Sequence, residues 1–381
     1  MADPILDELN ITTLPEINDA CIEDLFFMGS VFQAHLRSKC LVPFKGGVFT
    51  RNAFLYNPLN GGAYQKGVGG FSMVKPNTLG ATVFDPRYYI VMIVEYLEDI
   101  DVINVGDLSV FSLLETDMAN AYQTISAIMA LDIQQNGQIG SRSININGWV
   151  EAINDGLVPS WDGNIYTSYG TAPRNGAVRK ALNGNVYWGG TNTGAAGPVS
   201  YPMLNAAYNL ARRGKDEPDL FCANKPFISY VENRIQPQQR FGQEGASVRD
   251  PFYGATGFKF KNALVMQDDY FPSALGYPYS DSSNGGLGNN LTSTISYTVP
   301  ASGAPNNFPT TNVTLTVGEV GVFFNTSRWK FRVSNSSEFG FNPTDLIRAP
   351  DNTRVVSQLK AAVNLECTAP WTNTQIYGVN G

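Results

Sequence analysis

The chain has 381 residues, of which only 15% are charged, and its net charge is −7. That length exceeds one small core and fits one large domain or two to three lobes. The acid excess excludes sequence-independent adhesion to nucleic acid, which needs Lys and Arg against phosphate, and 43% hydrophobic with 12% aromatic residues excludes intrinsic disorder.

So little charge suits a surface largely covered by partners. The start, Met1 to Glu8, is acidic and has neither the basic nor the apolar stretch of a signal peptide. The most apolar run, Tyr88 to Val94, falls far short of the ~20 residues of a bilayer span. Cys21, Cys40, Cys222 and Cys367 are widely separated, which reads as buried free thiols in a reducing compartment. Asn10, Asn290, Asn312, Asn325 and Asn335 open N-x-S/T triplets; the abundance of Asn, Ser and Thr accounts for them by chance.

In chain order, residues 1–25 form a mixed arm with weak periodicity, and a short helix is predicted from Glu23 to Arg37. Residues 45–75 are glycine-rich, with strand-like pieces at Gly47–Tyr56 and Gly70–Val74. A long strand rich in Tyr, Ile and Val is predicted over Ala81–Leu97. Together 46–97 reads as a glycine-softened hairpin, marginal unless it leans on something.

The clearest helix is predicted from Asp107 to Asn136, capped by Asp107 and stopped by Gly137. Phe111, Leu114, Met118, Ala121, Ile125 and Ile128 give it one apolar face, and Asp132 continues their spacing. Ile146–Ile153 suits a short helix or strand around Trp149. A second helix is capped by Ser200, has Pro202 in its first turn and Arg212 and Arg213 in its last, and stops at Gly214. A third opens at Asn224 and Pro226, with Phe227, Val231 and Ile235 on its face.

Strands are predicted at Gly257–Phe260, Ala263–Met266, Val320–Phe324 and Trp329–Val333. Residues 278–316 read as an insertion with its own β-hairpin or a mobile loop, containing a strand at Thr294–Val299. Arg354–Glu366 fits helix and strand equally, and 371–381 reads as a tail. The order of elements implies an α+β protein.

The chemistry that would mark an enzyme is sparse. A Ser-His-Asp triad could use only His35, which sits on an amphipathic stretch. No P-loop occurs, and the Gly67–Gly70 and Gly189–Gly190 runs lie outside any βαβ unit. The acidic pairs Glu98–Asp99 and Asp268–Asp269 read as loop carboxylates, and Arg212, Arg213 and Lys215 as a capping and solvated cluster. The reading calls for no catalytic residue, no cofactor and no metal.

Four stretches, in order, carry a resemblance. They are Phe84-Asp85-Pro86-Arg87-Tyr88-Tyr89, followed by a strand and the long helix; Ile146 to Gly156; Glu217 to Cys222, followed by Tyr230, Gln239-Arg240-Phe241, Gly257 to Phe260 and Asp268-Asp269; and Val322-Phe323-Phe324-Asn325-Thr326, followed by the strand to Val333 and Leu365-Glu366-Cys367. Over residues 80–370 the pattern resembles the major capsid proteins of tailed double-stranded-DNA bacteriophages, the Hong Kong phage-type or Johnson fold.

The resemblance implies an N-terminal arm at 1–25, the start of a peripheral domain at 26–45, and an extended loop at 46–97. It implies a spine helix within 98–140, an axial domain over 141–325 with the insertion 278–316, peripheral strands at 326–370 and a tail at 371–381. It marks Gly61, Gly62, Lys66, Gly67, Gly69, Gly70, Arg87, Trp149, Arg240 and Trp329 as assembly residues, with Lys66 the candidate for covalent cross-linking.

The implied partners are copies of the chain in pentamers and hexamers, a separate scaffolding protein, a portal, a decoration protein, and packaged double-stranded DNA bound without sequence specificity. No membrane is implied. The implied location is the virion, after assembly in the host bacterial cytoplasm. An encapsulin-like compartment shares the fold, and a β-rich glycan-binding module is the reading from a different class.

Overall fold

The computed structural model describes residues 30–44, 49–60, 74–96, 113–137, 144–176, 178–239, 248–249, 256–272, 294–334, 341–343, 347–348 and 354–380. Two large sheets organise them. The first has six strands gathered on one long strand, Arg354–Cys367. One edge of that strand pairs in succession with Trp329–Val333, Phe341–Pro343 and Ile347–Arg348. Its other edge pairs antiparallel with Arg87–Tyr96. Leu41–Pro43 runs parallel to Trp329–Val333.

The helix Leu113–Ile133 packs against Arg87–Tyr96 and the long strand. Ala121, Ile125, Met129 and Ile133 recur every four residues and are buried, which is why this segment lies on a sheet rather than in water. Asp132 continues the stripe at the cost of a buried carboxylate. That cost is offset by hydrogen bonds from the Tyr89 hydroxyl at 2.7 Å and the Asn145 amide at 3.0 Å.

The second sheet has eight strands. Leu220–Ala223, Glu319–Phe324 and Thr374–Asn380 lie side by side at its centre. The first two are buried throughout, as expected of continuous apolar runs between neighbours. The helices Tyr201–Ala211 and Lys225–Gln239 cover the sheet. Each has the cap its sequence predicted: Ser200 Oγ accepts from the Met203 N–H at 3.3 Å, and Asn224 Oδ1 from the Phe227 N–H at 3.0 Å. Beneath them Tyr208, Phe221, Phe227, Phe260 and Phe323 form an aromatic cluster.

Several elements differ from their sequence reading. The helix predicted from Glu23 begins at Val31, because Ser30 is extended and its hydroxyl caps the Gln33 N–H. The strand predicted over 81–97 is two strands, Leu79–Phe84 and Arg87–Tyr96. They belong to different sheets, broken at Asp85-Pro86 where proline has no N–H to continue a ladder. The strand read at Gly47–Tyr56 is Thr50–Leu55. Val74 is not in a strand. The start of the long helix at Asp107 and the arm at 1–25 lie outside the described residues.

Arg212 and Arg213 fall beyond the helix end at Ala211. Arg212 instead pairs with Glu217 at 2.8 Å, and Arg213 lies 5.2 Å from the Trp371 ring centre. The hairpin expected within 278–316 exists, as Thr294–Tyr297 with Val313–Thr316. It is not independent, since Tyr297 packs on Phe308, which in turn packs onto Trp188 and Tyr377. Arg354–Glu366 resolves as strand.

The largest correction is at the end. Residues 371–381 have the look of a tail in the sequence, yet Thr374–Asn380 is a central strand between Glu319–Phe324 and Asn185–Trp188. Ile376, Tyr377 and Val379 are wholly buried there.

Candidate assembly surfaces

The motifs behind the family resemblance converge inside the molecule. Phe32 stacks on Phe324 with ring centres 3.9 Å apart, and Trp329 meets both edge-on. Trp149 stacks on Phe271 and touches Phe324. Around these rings Asp219 receives hydrogen bonds from the Thr326 N–H at 2.7 Å and its hydroxyl at 2.5 Å. Asp268 receives them from the Ser30 hydroxyl at 2.6 Å and from the Phe32 and Tyr270 N–H groups. The carboxylates thus fasten a helix and a turn to the strands beside them.

The family resemblance makes Trp149 and Trp329 assembly residues. Both are buried in this hub, so they offer no surface to a neighbour; their apolar size is what the core uses. Arg87 is half-buried at the start of its strand, opposite Val363. Gly61, Gly62, Lys66, Gly67, Gly69, Gly70 and Arg240 lie outside the described residues.

Next to the hub is a buried polar knot. The Arg174 guanidinium donates to the carbonyls of Glu151, Ala152, Tyr166 and Leu182 at 2.6–3.0 Å. Burial lowers its pKa to about 10. Glu151, which accepts from the Asn147 amide, is pushed up to about 8 by burial. Burial raises Asp268 to about 6, against the hydrogen bonds that favour its charge. Cys40 and Cys367 are buried free thiols, raised to about 12 by the same desolvation, and Cys222 is a third buried free thiol. Such thiols are unreactive.

Among the described residues two apolar features are exposed, and the sequence reading does not separate them. The first is the hairpin of Thr50–Leu55 and Leu79–Phe84, in register from Thr50–Phe84 to Leu55–Leu79. Among the described residues no third strand joins it. Leu55, Leu59, Val74 and Leu79 are 67–75% exposed, so the described ribbon has almost no core of its own.

Its root, by contrast, is clamped on both sides. The buried Glu366 carboxylate accepts from the Thr50 hydroxyl, the Asn52 amide at 2.8 Å and Arg332 Nε at 3.1 Å. Across the root, the Val83 N–H donates to the Gly170 carbonyl at 2.7 Å, and Phe84 meets Tyr169 edge-on. Gly170 has φ +52°, and a Cβ there would fall 2.6 Å from the Phe84 ring, so this contact requires glycine.

The second feature is the outward face of Arg87–Tyr96. Tyr88, Ile90, Met92, Val94 and Tyr96 alternate along it, each 44–72% exposed. Their alternates Tyr89, Val91 and Ile93 pack into the core beneath the long helix. Among the described residues no cluster of His, Cys, Asp and Glu could hold a metal ion, and no helix is long and apolar enough to cross a membrane.

No family model matches this sequence, and no curated protein matches it. Solved structures do match in fold. The capsid asymmetric unit of cyanophage A-1(L) superposes with a TM-score of 0.63 at 10% identity, covering 96% of this chain and 97% of that one. The capsid of the empty GTA particle gives 0.54 at 9% identity, with 96% of each chain covered. The holo-SrpI encapsulin complex from Synechococcus elongatus PCC 7942 gives 0.51 at 8% identity, covering 100% of this chain and 96% of that one. What is shared is architecture, end to end: the chain has the fold of tailed-phage capsid proteins, as its motif order implied.

Proposed function

We propose that the chain is a shell-forming capsid protein, which assembles through pentamers and hexamers into an icosahedral container for double-stranded DNA. The observation that carries this is the end-to-end match with the cyanophage A-1(L) capsid, in which nearly all of each chain takes part. A projecting ribbon and a sheet face, both apolar and both exposed, support it. Such surfaces are costly on a monomer and are usual at obligate interfaces. Contacts that join different patches of identical subunits close into rings.

In this reading the six-stranded sheet and long helix are the peripheral domain. The eight-stranded sheet, including Thr374–Asn380, is the axial domain. The extended loop is the ribbon whose described strands run from Thr50 to Phe84. Net negative charge suits a wall that holds DNA without adhering to it. A scaffolding protein, portal and decoration protein are the partners it would need.

The test is electron microscopy with analytical sedimentation of the expressed full chain. Closed shells are expected, and deletion of residues 60–72 should leave folded subunits without shells. Monodisperse subunits at high concentration as the sole species would overturn the proposal. Shells that copurify with one fixed protein cargo would instead favour an encapsulin-like compartment, a reading kept by the SrpI encapsulin match.

A further inference from the structure

We propose that the groove between the Arg87–Tyr96 strand and the long helix, where Glu95 and Asp117 face Asn120 and Thr124, binds a primary ammonium group carried on an alkyl stem. The proposal goes beyond the shell-forming reading and does not depend on it.

The groove holds about 220 Å³. Consecutive strand residues, Val91 to Glu95, line one wall, and Asp117 to Thr124 of the helix supply the other. None of the lining residues belongs to Arg354–Cys367, the partner of that strand, so the groove lies along the strand's other edge. Side chains alternate in direction along a strand, so a wall of consecutive residues presents main chain as well as side chains. Among the described residues no strand pairs with that edge, and its carbonyls are acceptors outside any ladder.

Glu95 is the decisive residue. It alternates with the exposed Val94 and Tyr96 and so turns toward the helix, where it is only 8% exposed. The other buried acids have donors: Asp132 takes the Tyr89 hydroxyl, Asp268 the Ser30 hydroxyl, and Glu366 the Asn52 amide. Among the described residues no hydrogen bond or ion pair reaches the Glu95 carboxylate. A carboxylate this deep is costly to leave unpaired, and a bound cation supplies the missing donor.

The lining selects the kind of cation. A hard divalent metal ion takes about six or more oxygen ligands, whereas only two carboxylates stand in this groove. An ammonium group donates and never accepts. It meets acceptors in Glu95, Asp117, the edge carbonyls and the Asn120 amide oxygen, which already takes the Thr124 hydroxyl at 3.4 Å. Ile93 and Ala121, both buried, give a methylene stem apolar surface to lie on. A free alkyl diamine and a lysine side chain of a second copy share this chemistry.

The experiment titrates the full chain with diaminobutane and, in parallel, with butanediol, following the melting temperature. A saturable rise is expected with the diamine and none with the diol. Glu95→Gln keeps the shape of the side chain and removes its charge, and should weaken the apparent affinity about tenfold or more. Asn120→Trp, at an exposed helix position, blocks the groove and gives the same readout if Glu95→Gln does not fold. For the second source, free subunits and assembled particles are acetylated and their lysines compared by mass spectrometry. A lysine protected in unmodified particles but not in Glu95→Gln particles identifies a second copy as the occupant. A diamine effect that survives both substitutions, or no diamine effect together with no Glu95-dependent lysine, overturns the proposal. Where the chain gives only subunits, the diamine titration decides by itself. The shell reading is judged on particles alone, so the two fail separately.

Discussion

Glu151 is wholly buried, and the Arg174 guanidinium that favours its charge donates its hydrogen bonds to backbone carbonyls. Its pKa near 8 lies above its ordinary value in the unfolded chain, so the folded state holds a proton that the unfolded state releases. The stability this contributes is complete below about pH 4.5 and is lost progressively as pH rises to about 8. Asp268, raised to about 6, acts with the same sign between about 4 and 6.

Glu151→Gln keeps a neutral side chain that can still accept from Asn147. Denaturation midpoints measured from pH 5 to 8 should fall less steeply for this variant than for the unmodified chain. Equal slopes would show that Glu151 titrates normally. The sequence carried little warning of this knot. Glu151 and Arg174 are 23 residues apart, and nothing in their local pattern says that both are buried.

At the scale of elements, the hairpin separates two properties that usually go together. Its strands have little to bury, but its root is held by a buried carboxylate on a different sheet. Direction is thus fixed where the ribbon leaves the body, and order along it comes from whatever it lies on. Thr50→Val combined with Asn52→Ala removes the ribbon's half of the clamp and leaves the Glu366–Arg332 pair intact. The subunit should keep its melting temperature within a few degrees, a change of ~1 kcal/mol, while the yield of regular particles drops sharply in sedimentation profiles. Unchanged yield and shape would make the clamp dispensable.

The hairpin, the long helix and both capped helices were legible because each depends on local spacing and local caps. The break at Asp85-Pro86 was missed, although the proline that causes it stands in the sequence. Its consequence, that the two halves serve different sheets, was missed with it.

At the scale of the whole molecule, Thr374–Asn380 joins two strands taken from distant parts of the sequence. Removing residues 374–380 uncovers both neighbours at once and deletes Ile376, Tyr377 and Val379 from the core. Each large buried side chain lost costs ~2–5 kcal/mol, more together than a typical domain holds in reserve. The truncated chain should be recovered insoluble or without a cooperative melt. A soluble subunit with a normal melting transition would mean the strand is an accessory.

Alone, the sequence determined the α+β class, the helix caps, the order of motifs and the acidic, charge-poor composition. These depend on neighbours a few residues away or on composition, which the chain carries in itself. The tertiary structure decided that Trp149 and Trp329 are core, that the last residues form a central strand, and that Glu366 grips the hairpin. Each follows from contacts between residues far apart in sequence, and burial is settled only when those distant segments meet.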